Sequence, residues 1–182
     1  LYGFIATSAW NFSSVSLNGP SVSLSVAGIS TNSGWALDQT GYNLYSFDGG
    51  FIRQFVLPTQ YSFANIGNGA DYAYYLPLYG VSTTVKSGTW NSAGTKLYIM
   101  TADGKIYKLT TPTPWLVDTL SPPVQVFDFA DPSVSAIIGT IDTSYHSCGI
   151  SLKGDTENRM MAWVHASYNA SPNDNFLCTL VL

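Results

Sequence analysis

One hairpin is written twice in this chain, and that repetition constrains the fold more than any other feature. Residues 41–63 read GYNLYSFDGGFIRQFVLPTQYSF, and residues 94–117 read GTKLYIMTADGKIYKLTTPTPWLV. With Gly41 set on Gly94, Leu44-Tyr45 falls on Leu97-Tyr98. One extra turn residue later, Ile52 falls on Ile106, Phe55 on Leu109, Pro58 on Pro112 and Tyr61 on Trp115. In each copy two runs of β-branched and aromatic residues flank a tight turn, Asp48-Gly49-Gly50 or Ala102-Asp103-Gly104. Glycine after Asp supplies the positive φ that such a turn needs. Matched turn, strand pair and exit proline together predict an antiparallel β unit of roughly 50 residues.

The rest of the chain carries the same signal more faintly. Short runs rich in Val, Ile, Tyr, Phe and Thr predict strands at 21–27, 42–47, 51–57, 96–101, 105–110, 124–129, 159–165 and 176–182. Helix signals are nearly absent. FLCTLVL, from Phe176, matches FIRQFVL, from Phe51, and NRMMAWVH before it supplies the preceding strand. ATSAWNFSS near the start matches TPTPWLVDT, with Trp10 on Trp115. The chain therefore starts where a unit should finish and stops where that unit is incomplete. The expected fold is all-β, with about three antiparallel sheets in propeller-like repeat units. It forms one domain, 1–182, with units near 29–78, 80–130 and 134–182, the last completed by 1–26. A β-sandwich of the same hairpins is the alternative. Three units are few for a ring, so a dimer or trimer is one way to complete it.

The sharpest segment is SAGTKLYIMTADGKIYKLTTPTPWLVDT, residues 92–119. Gly94-Thr95-Lys96, Leu97-Tyr98, Asp103-Gly104, Ile106-Tyr107 and Thr113-Pro114-Trp115 carry its pattern. It resembles the propeller-type β repeats of bacteriophage structural and fibre proteins and of related bacterial surface proteins. That resemblance implies an architectural role on a virion surface or in host attachment. The implied partners are other virion subunits or further copies of the chain, with a host-surface glycan as a possible ligand. The implied localisation is the virion; secretion or the cell surface is the alternative.

Composition narrows the function classes. Aromatic residues make up 14% and charged residues only 10%, against a usual quarter. A surface solvated by Ser, Thr, Asn and Gly suits virion and secreted proteins. The net charge is −4 and no basic run exists to follow a phosphate backbone, so no nucleic-acid partner is expected. No apolar stretch reaches membrane-spanning helix length, and membrane insertion is not expected. The chain opens at Leu1 without a signal-peptide pattern, as a processed product or part of something longer does.

Little in the sequence carries chemistry. His146 and His165 are the only histidines. Asp142, Cys148 and Asp155 near His146 show no recognised ligand spacing, so neither a metal nor a cofactor is expected. Ser147 and Cys148 beside His146 lack a nucleophile-elbow context. Most of the acids fall in turns, where Asp bonds local backbone, and Glu157 is the only glutamate. The turn 154–158 is a weak calcium candidate against an ordinary polar loop. Residues 11–13 and 169–171 match the N-glycosylation pattern. Cys148 and Cys178 read as buried free thiols, with a disulfide as the alternative.

The expected function is non-enzymatic: a virion structural or host-attachment protein that presents loops on a β-repeat scaffold. The alternative is a lectin-like carbohydrate-binding module. Its candidate aromatics are Trp35, Trp90, Tyr72, Tyr74 and Tyr75, against a plain reading as core between sheets. The second alternative is a propeller-type glycan hydrolase or lyase, for which the supply of acids and bases is poor. No catalytic residue is assigned.

Overall fold

The computed structural model describes residues 4–6, 15–17, 34–63, 66, 69–81, 84–138, 140–141, 149–152, 159–168 and 171–181. The order of strands is β1 (Phe4–Ala6), β2 (Val15–Leu17), β3 (Gly34–Leu37), β4 (Asn43–Asp48), β5 (Phe51–Val56) and β6 (Tyr72–Tyr75). There follow β7 (Val85–Trp90), β8 (Lys96–Thr101), β9 (Lys105–Thr110) and β10 (Val124–Asp128). The last four are β11 (Thr140–Ile141), β12 (Gly149–Leu152), β13 (Arg159–Tyr168) and β14 (Ser171–Val181). Strands at 21–27 and the Trp10 match lie outside the described residues.

The predicted hairpins are the centres of two equal sheets. The first is the antiparallel meander β3-β4-β5-β6, and the second repeats it as β7-β8-β9-β10. The strands at 96–101 and 105–110 have the predicted bounds. In the third sheet β13 has β14 along one edge and, along the other, β12 and β11 on successive stretches. β1 pairs with β2. One helix, α1 (Pro132–Ile138), joins the second sheet to the third. It is held by Asp131, whose carboxylate accepts the Ser133 N–H at 2.9 Å, with Pro at the first helical position. Seven residues are too few for a 3.6-residue period to show, so the near-absence of helix signal does not register it.

The sheets stack as blades with their first strands side by side. β7 packs beside β3 and β4 on one flank and beside β12 on the other. This places the second sheet between the first and third, and a two-layer sandwich has no such middle layer. The close approach explains the glycines in these inner strands. A Cβ on Gly88 would sit 2.4 Å from the Phe47 ring, and one on Gly34 would sit 2.1 Å from the Lys86 carbonyl oxygen. Strand alternation then gives each blade two faces. Tyr45, Phe47 and Ile52 of the first blade meet Leu97, Ile99 and Leu109 of the second. Tyr98, Met100 and Ile106 of the second meet Met160, Ala162 and Leu180 of the third. A third cluster, Leu44, Phe55, Leu57 and Phe63, lines the opposite face of the first blade. The fold is thus an all-β array of three antiparallel sheets of propeller type, open rather than closed into a ring.

The repeat also holds atom by atom. Tyr61 and Trp115 are the only non-glycine residues of positive φ among those described, at 56° and 67°. Tyr61 N–H donates to the Gly41 carbonyl at 2.7 Å, and Trp115 N–H to that of Gly94 at 2.8 Å. Each ring lies where a Cβ on its glycine would be, 2.3 Å away in both copies. Gly41 and Gly94 themselves have φ of 71° and 68°. The repeat starts earlier than its glycine. Asp38 Oδ1 accepts the N–H groups of Tyr42 and Asn43, and Asn91 Oδ1 those of Thr95 and Lys96.

Candidate binding surface

The five candidate aromatics do not come together. Trp35 is half-buried, its ring centroid 6.4 Å from that of Phe55. Trp90 is buried between Tyr45 and Trp115, at 5.2 and 5.8 Å, and its indole N–H has no hydrogen-bond partner. Tyr72, Tyr74 and Tyr75 lie on β6, the outer strand of the first blade. Tyr74 points into the blade interface. Its hydroxyl donates to the Ser121 carbonyl at 2.9 Å, and its ring stacks on Tyr79 at 5.0 Å. Burial, then the neighbouring Tyr79, pushes the Tyr74 phenol well above its ordinary range. Tyr72 and Tyr75 are exposed, but strand alternation sends them to opposite faces of β6, so they form no shared platform.

What does assemble at this edge is a ladder around Phe51. Tyr75 lies 4.5 Å from Phe51, ring centroid to centroid, and the Arg53 guanidinium lies 4.5 Å over the same ring. Asp48 stands 3.8 Å from Arg53 and holds it across the hairpin. A 3₁₀ turn, Leu76–Tyr79, follows directly. Leu76 is fully buried and donates its N–H to Gly50 at 2.9 Å. Leu78, one turn on, is 76% exposed, and Tyr79 beside it is exposed too. Pro77 sits against Gly50, where a Cβ would be only 2.7 Å from the proline ring. Gly80, at φ 82°, ends the turn. The turn is therefore pinned to the hairpin, and Leu78 is presented on a rigid base. An Arg–aromatic–aromatic ladder beside an exposed leucine is chemistry that protein interfaces favour. Arg53, Phe51, Leu78 and Tyr79 were not singled out from sequence. The signal was the spacing of Phe51 and Arg53, two apart on one strand face.

The described carboxylates serve structure. Asp38 holds Thr40, Tyr42 and Asn43. Asp71 accepts the Val56 N–H at 2.7 Å, Asp103 takes the Thr101 hydroxyl, and Asp128 takes the Ala130 N–H. From Asp38 a buried chain crosses between blades. Asn43 Nδ2 donates to Asp38, Gln54 Nε2 donates to Asn43, and Val117 N–H donates to Gln54 at 2.9 Å. Among the described residues no three His, Cys, Asp or Glu gather as a metal cluster would. No described helix is long and apolar enough to cross a membrane. Cys178 is a free, half-buried thiol, and burial raises its pKa. Asp142, His146, Cys148, Asp155, the turn 154–158 and both glycosylation patterns fall wholly or partly outside the described residues.

Comparison with known proteins gives no family. No family model matches the chain, and no curated protein does. Among solved structures, the chain is similar to the β-propeller domain of Myceliophteria thermophila Cps50 (Swd1). The TM-score is 0.43 and the identity 12%, over 82% of this chain and 43% of that one. It is also similar to Hsv2 of Kluyveromyces lactis, at TM-score 0.39 and 12% identity over 80% of this chain and 44% of that one. Hsv2 of Kluyveromyces marxianus gives 0.37 and 10%, over 81% and 48%. The chain spans less than half the length of each of these structures.

Proposed function

We propose that this chain is a non-enzymatic binding scaffold, a rigid stack of blades whose outer edges and turns engage other proteins. The observation that carries this reading is the Arg53–Phe51–Tyr75 ladder beside Leu78, an exposed apolar and cationic feature on a pinned turn. In its finer form the scaffold is a structural or host-attachment subunit of a phage-like particle. The resemblance over residues 92–119 and a surface poor in charge support that form. Quantitative mass spectrometry of purified particles from the source is the test. The reading predicts this chain in a fixed, symmetric number of copies per particle, and its absence from the particles would remove the virion form. Whether the scaffold binds protein through the ladder is tested separately with Leu78→Asp. This variant should fold normally and lose incorporation or partner binding.

Sugar binding is the second reading, favoured by the solvent-facing Tyr75 ring packed on Phe51. Exposed aromatic faces of this kind suit sugar rings. A glycan array decides it: a specific signal lost in Tyr75→Ala supports the lectin reading, and no signal from the parent chain ends it.

A further inference from the structure

Each blade has a leading face, turned to the blade that follows, and a trailing face, turned to the one before. The leading faces of the first two blades are closed. Ile52 and Ile106, equivalent positions, are both fully buried, as are Tyr45 and Gln54 of the first blade. The match of FLCTLVL to FIRQFVL places Leu177 on Ile52 and Thr179 on Gln54. Register agrees with it: Tyr45 pairs with Gln54, and Met161 pairs with Thr179. Leu180 then falls on Phe55 and Leu109 and points back into the second blade. The leading face of the third blade is left open. Leu177 is 66% exposed, Val181 80% and Met161 37%, with Ser151 and Thr179 exposed beside them.

The chain also carries the complementary half of this interface. On the second blade the trailing face is Leu97 and Leu109, flanked by Val117 of the loop that Trp115 begins. The first blade repeats it with Leu44 and Phe55, flanked by Phe63 of the loop that Tyr61 begins. Trp115 offers its carbonyl to the Tyr45 hydroxyl at 2.7 Å, and Val117 its N–H to Gln54 at 2.9 Å. Tyr61 has the same positive φ and the same bond to its glycine as Trp115, so its loop has the same form. By alternation Trp35 and Leu37 belong to this trailing side, and Leu37 is 40% exposed.

We infer that the leading face of the third blade is an interface for the trailing face of the first blade of a second copy. The occupant is argued from continuity: two copies of this blade interface lie inside the chain, and the faces left over are its two halves. Two chains joined head to tail at both ends make six blades, within the usual four to eight of a closed ring. Two-fold symmetry closes that ring with two identical joints.

The test is the mass of the full chain in solution, by light scattering or sedimentation, with three variants. The parent is expected at twice the monomer mass at micromolar concentration. Leu177→Asp and Leu37→Asp lie at exposed sites, so each should keep the parent's circular dichroism. Each buries a carboxylate in the joint and should raise the dissociation constant at least about tenfold. Leu78→Asp, away from the joint, should leave the dimer unchanged. A monomeric parent overturns the inference, as does a dimer indifferent to Leu177→Asp. A dimer broken by Leu177→Asp but not by Leu37→Asp overturns it too, because the leading faces would then pair with each other.

Discussion

At the residue scale, the most informative side chain is Asp38. It is buried, yet it holds four donors: the Thr40 hydroxyl, the N–H groups of Tyr42 and Asn43, and the Asn43 amide. Asn91 does the same work for backbone in the second blade with one carbonyl oxygen. Asp38→Asn should therefore cost little, whereas Asp38→Ala strands buried donors and should cost about 2–3 kcal/mol by urea unfolding. Equal losses would mean that the charge, not the acceptor, matters. Gly88 makes a second prediction. Gly88→Val would drive two methyl groups into the Phe47 ring and should destabilise the chain by about 2–3 kcal/mol or more. The Asp38–Asn91 equivalence was within reach of the sequence, because each stands three residues before its repeat glycine. An alignment begun at Gly41 and Gly94 passes over it, since Asp and Asn share an oxygen but not a letter.

At the element scale, legibility followed the residues that fill each strand. β4, β5, β8 and β9 are rich in Leu, Ile, Tyr and Phe and are joined by Asp-Gly turns, so their pattern is plain. β3 and β7 are inner strands whose backbones approach a neighbouring blade, which puts Gly34 and Gly88 where a strand signal needs side chains. β6 is four residues long and mostly exposed, so neither length nor alternation marked it. The outer edge was legible only as a cluster of tyrosines. Which of them face solvent depends on pairing register, which the sequence does not print. Helix α1 gives a pH prediction. The Ser133 hydroxyl and N–H hold the Asp131 carboxyl below its ordinary value. The folded value is depressed, so the cap's contribution is present above the unfolded pKa, near 3.9. It is lost as pH falls through the lower folded value. NMR titration should place the Asp131 midpoint below that of a model peptide, and Ser133→Ala should move it upward.

At the scale of the whole molecule, the blades are joined by apolar packing and by a few bonds that only this stacking allows. The Tyr45 hydroxyl is one, since it reaches the Trp115 carbonyl 70 residues away. Burial, and then the charge of Asp38, pushes its phenol far above the ordinary value. Stability is therefore intact below the unfolded phenol's pKa, about 10, and should fall as pH climbs from there toward the folded value. Tyr45→Phe should remove much of that alkaline sensitivity and cost about 1 kcal/mol at neutral pH. The central claim is that the second sheet is a middle layer, with the inner strands of all three blades side by side. The most direct measurement is a set of nuclear Overhauser contacts on the two flanks of β7. The stacking predicts contacts from the Gly88 α-protons to the Phe47 ring and, in the same sample, from the Ile150 amide to the Ser87 side chain, whose oxygen it meets at 3.2 Å. Contacts on one flank alone, with the hairpins intact, would contradict it and return the chain to a two-layer sandwich.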